Sequence, residues 1–151
     1  MFNIAVGLVE AMYGIEPSAD SAYYLGSLND KNGKDEQAVA YWEESLELET
    51  DPYKKAKILY KIALKFKEKG RKLTARNYAR KALNFQPSLG KAYLMIANLY
   101  ANSANNCGKT QFDKRAVYWL AANTAKKAAR VDASIKKAAL KTAASYNGRA
   151  P

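Results

Sequence analysis

The 151-residue sequence has no histidine and only one cysteine, Cys107. Without histidine, it lacks the usual general base of enzymes and the commonest transition-metal ligand. A single cysteine excludes an internal disulfide framework, and we interpret Cys107, which lies in a polar segment, as incidental. The sequence also has no Ser/His or Cys/His pair and no phosphate-binding glycine loop. We therefore predict no enzyme, no catalytic residue, no metal ligand and no cofactor.

Long apolar runs and a signal peptide are also missing from the sequence. No apolar run approaches the roughly 20 residues that are needed to span a bilayer. The apolar N-terminal segment has no Lys or Arg in front, and Glu10 interrupts it, so it is a poor signal peptide. The pattern of this segment instead favours an amphipathic helix. A chain that opens within a helix suggests a fragment of a longer protein. The compartment therefore stays open between cytoplasm and periplasm.

Two groups of acidic residues superficially suggest cation sites. The segment from Asp30 to Glu36 has some features of a calcium loop, but its glycine comes too early and Lys34 occupies a ligand position. We interpret this segment as a turn between helices. Glu43, Glu44 and Glu47 could form an acid/base or metal cluster, but they have no partner residues, and we interpret them as an exposed acidic helix face.

Small residues recur at fixed distances through the sequence. Gly26, Ala63 and Ala97 are separated by 37 and then 34 residues, with large residues three or four positions away. A small residue at this spacing lets two helices approach closely, and the large neighbours fill the seam between them. A second set of residues repeats a common spacing in three places: Ala38, Trp42 and Ser45; Ala75, Ala79 and Ala82; Ala121, Ala125 and Ala128.

Glycine and proline mark the boundaries between the predicted helices. Gly33 and Gly70 are placed to hold turns, where a left-handed backbone costs glycine little. Asp51 and Pro52 are typical of a helix N-cap that is followed by proline in the first turn. A polar insertion precedes a later helix, which is predicted to begin near Asp113.

These spacings resemble those of tetratricopeptide repeats, and they do so most closely from Leu59 to Pro87. The resemblance extends over nearly the whole chain and is closest to the C-terminal part of a larger bacterial protein of this family. It implies an all-α fold, a right-handed superhelical array of antiparallel helix pairs, with about eight helices. A generic helical bundle with chance spacing is the alternative.

We predict a single domain, residues 1–151, that is built from half and whole repeats. The units are an orphan second helix of a truncated repeat, two repeats, a third repeat with a loop insertion, and a capping helix with a tail: residues 1–17, 18–52, 53–87, 88–133 and 134–151.

Charge is segregated along the sequence. Residues 1–52 carry a net charge of −9, residues 53–81 carry +11 and residues 82–151 carry +9. Charge runs of this kind are usually solvated helix faces. They also favour an acidic partner, or a salt-dependent self-association of the acidic region with the basic one.

The resemblance implies a protein-interaction module, because in this family the first helices of each pair line a concave groove. The residues predicted to face the groove are Asp20, Tyr23, Ser27, Lys57, Tyr60, Leu64, Lys67, Lys91, Leu94 and Asn98. Tyrosine, aliphatic and lysine side chains together suit a peptide that carries carboxylates. The alternative for Tyr23, Tyr60 and Leu94 is packing on neighbouring helices. The terminal-carboxylate clamp of some family members is not matched, because its positions hold Tyr23, Ser27, Lys61 and Met95.

Two other functions remain open from the sequence. Twelve Lys and Arg residues between 54 and 81 are dense enough to attract nucleic-acid phosphates, and interleaved tyrosines could stack bases. The acidic N-terminal third would repel the same ligand, so nucleic acid is the less favoured partner. The other function is purely architectural, with the charged regions driving self-assembly. The sequence identifies neither the partner nor the oligomeric state.

Overall fold

The computed structural model describes residues 2–151, so Met1, the first residue of the first predicted unit, lies outside it. Over this range the chain forms eight α-helices and two 3-10 turns, Ala104–Asn106 and Ala133–Ile135, with no β-strand. The predicted all-α class is confirmed. The helices are α1 (Phe2–Ile15), α2 (Ala19–Lys31), α3 (Asp35–Leu48), α4 (Pro52–Glu68), α5 (Lys72–Phe85), α6 (Gly90–Asn102), α7 (Gln111–Val131) and α8 (Lys136–Asn147).

The helices pack mainly on their neighbours in the chain. The most extensive contacts join α2 to α3, α4 to α5, α6 to α7, and α7 to α8. Contacts between successive pairs are sparser, and α1 packs on α2. This arrangement is that of a solenoid, in which each unit contacts only the next. Among residues 2–151, no helix is both long and apolar enough to cross a bilayer.

The turns after α2 and α4 are copies of one another. Gly33 and Gly70 both have a φ of +74°, in the left-handed region that glycine adopts without steric cost. The amide of Lys34 donates to the carbonyl of Asn29 at 2.9 Å, and the amide of Arg71 donates to that of Phe66 at the same distance. The predicted glycine turns are therefore confirmed.

Side-chain caps fix where α4 and α7 begin. The carboxylate of Asp51 accepts from the amide of Tyr53 at 2.8 Å, and Pro52 follows as the first helical residue, as predicted. At α7 the hydroxyl of Thr110 accepts from the amide of Asp113 at 3.0 Å, and Asp113 accepts in return from the amide of Thr110. This capping box places the start of α7 at Gln111, two residues before the predicted position.

The seam within each helix pair is lined by small residues. Gly26 lies against Trp42, whose side chain is completely buried and whose indole Nε1 donates to the carbonyl of Tyr23 at 3.2 Å. One repeat later the equivalent residues are Ala63 and Ala79, both completely buried. The missing methyl group at Gly26 thus makes room for the large ring at Trp42.

The first helices of the pairs lie beside one another. The ammonium of Lys57 on α4 lies over the ring of Tyr23 on α2, and Lys91 on α6 lies over Tyr60 on α4. Farther along, the side-chain amide of Asn98 on α6 contacts the hydroxyl of Tyr146 on α8. These contacts define the first-helix face, formed by α2, α4, α6 and α8.

The second helices of the pairs are joined by tyrosine–glutamate hydrogen bonds. The hydroxyl of Tyr13 on α1 donates to Glu44 on α3, and the hydroxyl of Tyr78 on α5 donates to Glu43, each at 2.8 Å. These contacts join α1, α3 and α5, which together with α7 form the second-helix face. Glu43 and Glu44 thus link neighbouring repeats, and the prediction that they have no partner residues is wrong.

The hydrogen bond of Tyr78 makes the free energy of unfolding decrease as the pH rises into the alkaline range. Burial and the Glu43 carboxylate raise the pKa of Tyr78 from 10.0 to about 12. The folded state therefore favours the neutral phenol, and this contribution to stability is present below pH 10 and lost as the pH rises towards 12. We expect wild type to lose about 1 kcal/mol more than Tyr78→Phe across this interval, after allowance for solvent screening.

Urea unfolding followed by circular dichroism, at neutral pH and between pH 10 and 12, measures this difference. Tyr53→Phe is the control, because Tyr53 is exposed at the start of α4. Equal alkaline losses in wild type and Tyr78→Phe would contradict the role of the Tyr78–Glu43 bond.

Candidate functional site

The first-helix face carries two lysine–tyrosine pairs that are one repeat apart. Lys57 Nζ lies 5.0 Å from the centroid of the Tyr23 ring, and Lys91 Nζ lies 4.5 Å from that of Tyr60. Both lysines are exposed, whereas both tyrosines are half-buried. A cation over a tyrosine ring at this distance is held in place by about 0.5–1 kcal/mol when exposed to solvent. Each ammonium is therefore positioned by the fold yet open to an anion.

The tyrosines of these pairs remain protonated at neutral pH. Burial raises the pKa of Tyr60, and burial together with the neighbouring Tyr24 raises the pKa of Tyr23. Their hydroxyls can therefore donate hydrogen bonds to a partner's carboxylate or carbonyl groups.

Asp20, Tyr23 and Lys57 also line a recess of about 220 Å³ between α2 and α4. Lys54 and Glu49 contribute to the same recess, so its rim carries both signs of charge. This end of the first-helix face is accordingly less basic than the end that carries Lys91.

The remaining residues of the predicted groove are engaged within the protein. Leu64 and Leu94 are half-buried and pack against clusters of core residues. The hydroxyl of Ser27 donates to the backbone of its own helix. Asn98 bonds to Tyr146 and also accepts from Asn102, and Lys67 is half-buried.

Lys65 is the only lysine of the basic region that is buried within the described chain, with 8% of its surface exposed. Its ammonium pairs with Asp30 at 2.5 Å, Glu68 at 2.7 Å and Asp35 at 3.3 Å. Burial alone would lower the pKa of Lys65, but the three carboxylates outweigh it and raise the pKa above its ordinary value. The acidic turn that superficially suggested a calcium loop is thus bound to a lysine of the next repeat.

Other cations of residues 54–81 lie over aromatic rings of the protein itself. Arg71 lies over Phe66, and Arg76 over Tyr100. The same arrangement recurs in three further pairs: Lys55 over Phe85, Lys61 over Trp42 and Lys81 over Tyr78. The ring faces in these pairs are thus already covered and are not open for stacking with nucleic-acid bases.

A second concave site, which we call the basic groove, lies between α5 and α7. Its floor is formed by Tyr93, Ile96 and Tyr100 of α6, and its volume is about 540 Å³. That volume is within the range of ligand-binding clefts. Its cations are Arg80, Lys127 and Arg130, and its amides and hydroxyl are those of Asn84, Asn123 and Thr124.

Sequence reasoning missed the basic groove, although it did count Arg80 among the basic residues. The feature of the sequence that indicates this groove is the alignment of the second helices of successive repeats. By the alanine spacing, Thr124 takes the position of Tyr78, and Arg80 takes the position of Glu43. The tyrosine–glutamate pair that joins α3 and α5 therefore has no counterpart between α5 and α7.

The chain resembles two known proteins of the tetratricopeptide-repeat type. It is 30% identical over 107 residues to the photosystem I assembly protein Ycf3 of Cyanophora paradoxa, a match that covers 65% of this chain and 62% of Ycf3. The crystal structure of MamA superposes with a TM-score of 0.60 at 13% identity, over 98% of this chain and 85% of MamA. No family model matches the sequence. The chain therefore has the fold of the tetratricopeptide-repeat proteins, the family that its repeats resemble.

Proposed function

We propose that the chain is a non-catalytic protein-interaction module that binds an acidic peptide or protein segment on its first-helix face. The observation that carries this proposal is the repeated pairing of Lys57 with Tyr23 and of Lys91 with Tyr60. Two exposed ammonium groups at successive repeats can meet two carboxylates of one extended or helical segment. The neighbouring neutral phenols add hydrogen-bond donors and apolar area at little entropic cost.

The comparisons support a role in interaction or assembly in general terms. Ycf3 is named as an assembly protein, and the fold of both relatives is associated with non-catalytic scaffolds. The matched segment spans 62% of the length of Ycf3, so what that protein assembles is not transferred to this chain.

The alternatives are less well supported by the geometry. Nucleic-acid binding through residues 54–81 would need open ring faces on which bases could stack, whereas the rings of Trp42, Phe66 and Tyr100 carry cations of the chain itself. Self-association of the acidic region with the basic one stays a prediction, and a fall in apparent mass with added salt would reveal it in light scattering.

Selection from a displayed library of random peptides tests the proposal. We expect the wild-type protein to enrich peptides rich in Asp and Glu. Lys57→Glu with Lys91→Glu should weaken binding of those peptides at least tenfold, because both positioned charges are reversed. Calorimetry gives the dissociation constants, and circular dichroism checks that the helices are intact.

The matched control is Lys69→Glu with Lys109→Glu, which changes the net charge equally at exposed positions in the loops after α4 and before α7, outside the lysine–tyrosine pairs. Binding should fall less than twofold in this control. Equal weakening in both double variants would mean that only net charge attracts the peptides, and the assignment to the first-helix face would be wrong.

A further inference from the structure

The basic groove combines an apolar floor with walls of a single charge sign. Tyr93, Ile96 and Tyr100 are spaced three and four residues apart on α6, so they form one ridge along the bottom. Arg80 stands on one wall, and Lys127 and Arg130 stand on the other. Among the described residues, no carboxylate lines the groove.

Two of the three cations of the basic groove, Arg80 and Lys127, are held in place by the tyrosines of its floor. Arg80 donates from its guanidinium to the hydroxyl of Tyr100 at 2.8 Å. Lys127 Nζ lies 5.0 Å from the centroid of the Tyr93 ring. Both cations are exposed, so each keeps donor capacity for a ligand while its position is restricted.

The basic groove exists because a bridge between repeats is missing. Between α3 and α5, the hydroxyl of Tyr78 reaches Glu43 and joins the two helices. Between α5 and α7, the equivalent residues are Thr124 and Arg80, and Thr124 donates to Leu120 of its own helix instead. The Thr124 side chain is shorter than the phenol of Tyr78 and its hydroxyl is bonded within α7, so it makes no such bridge and the space stays open.

Charge and shape together indicate what fits the basic groove. We infer that it is a second docking site, separate from the first-helix face, for an acidic protein segment with a large apolar anchor residue. The anchor packs on the ridge of Ile96 and its two tyrosines, while flanking carboxylates pair with Arg80 on one side and Lys127 on the other. Arginine and tyrosine are, with tryptophan, the residues enriched among those that dominate binding energy at protein interfaces.

The probe for this site is a fluorescein-labelled peptide with the sequence Glu-Glu-Leu-Glu-Glu-Phe-Glu-Glu, titrated into the full chain. A peptide with glutamine in place of every glutamate is its control. Binding is measured by fluorescence anisotropy, and its location by nitrogen-15 NMR of side-chain amides. Asn84 and Asn123 report on the basic groove, and Asn98 reports on the first-helix face.

Two variants test the groove by different means. Arg80→Glu with Lys127→Glu should weaken binding at least tenfold, because it reverses a charge on each wall. Thr124→Tyr should weaken it at least threefold without any change of charge, because the larger side chain enters the groove. Lys126→Glu with Lys137→Glu changes the net charge as the first variant does but leaves the groove lining intact, and it should weaken binding less than twofold.

The inference holds if the acidic peptide shifts the Asn84 and Asn123 amides and the groove variants lose affinity as stated. It is overturned if affinity is the same in all variants, or if the shifts appear at Asn98 and binding is lost only in the Lys57→Glu, Lys91→Glu protein. It is also overturned if a single-stranded RNA oligonucleotide shifts the groove amides and the peptide does not. Because different variants test the two faces, either proposal can fail alone.

Discussion

Gly26→Ala is expected to lower the free energy of unfolding by about 2–3 kcal/mol, although alanine is the better helix former. An alanine Cβ at this position would meet Trp42 Nε1 at 2.5 Å and the carbonyl oxygen of Ala38 at 3.0 Å. Neither neighbour can move aside easily. Trp42 is completely buried and its indole is bonded to the backbone of α2, while Ala38 contributes a helical backbone group.

The control for this substitution is Gly7→Ala in α1, where an added Cβ has no neighbour within 4 Å. At this position alanine improves helix propensity without any steric clash, so the free energy of unfolding should rise by about 0.5–1 kcal/mol. Urea unfolding followed by circular dichroism measures both variants.

A double variant separates overpacking from any other effect of Gly26→Ala. Trp42→Leu makes space at the same seam, so the alanine methyl group can occupy part of it. Gly26→Ala with Trp42→Leu should therefore be less destabilised than the sum of the single variants by about 1 kcal/mol or more. Strict additivity would show that Trp42 is not what excludes the methyl group.

Much of the fold could be predicted from local chemistry. Gly33 and Gly70 marked identical turns because their left-handed backbone favours glycine whatever the tertiary context. Asp51 and Pro52 marked a helix start because capping depends on adjacent residues. The start of α7 lies two residues before the predicted position because Thr110, paired with Asp113 in a capping box, is its N-cap.

The candidate surfaces were harder to predict because they depend on several helices at once. Spacing places Lys57 and Lys91 at equivalent positions, but it does not show that each reaches a tyrosine on the preceding first helix. The basic groove is harder still to predict, because it lies where Thr124 and Arg80 do not form the bridge that Tyr78 and Glu43 form one repeat earlier. Only a comparison of each second helix with the next, residue by residue, would have revealed it.

The burial of Lys65 and its charged partners were equally hard to predict from the sequence. It lies among the lysines of a strongly basic helix, and nothing in its immediate sequence distinguishes it from Lys61 or Lys67. Its partners Asp30 and Asp35 come from the turn of the preceding repeat. A contact between residues this far apart in sequence can be inferred only after the repeats have been stacked.

Lys65→Met is expected to lower the free energy of unfolding by about 2–3 kcal/mol, less than for a fully buried ion pair because the carboxylates are partly exposed. Methionine keeps the volume of the side chain but leaves Asp30, Asp35 and Glu68 close together without their cation. The raised pKa of Lys65 means that its contribution is present in full below the ordinary value of 10.5 and is lost only above it. Urea unfolding at neutral pH therefore measures the whole effect.

Two further variants distinguish loss of the ion cluster from loss of packing. Lys69→Met, at an exposed position after α4, should change stability by no more than about 0.5 kcal/mol. Asp30→Asn should be destabilising in the wild-type protein but should restore stability in the Lys65→Met protein, because there it removes an uncompensated negative charge. If Asp30→Asn destabilises both proteins equally, Lys65 contributes through its apolar stem, and the first two repeats are not joined by charge.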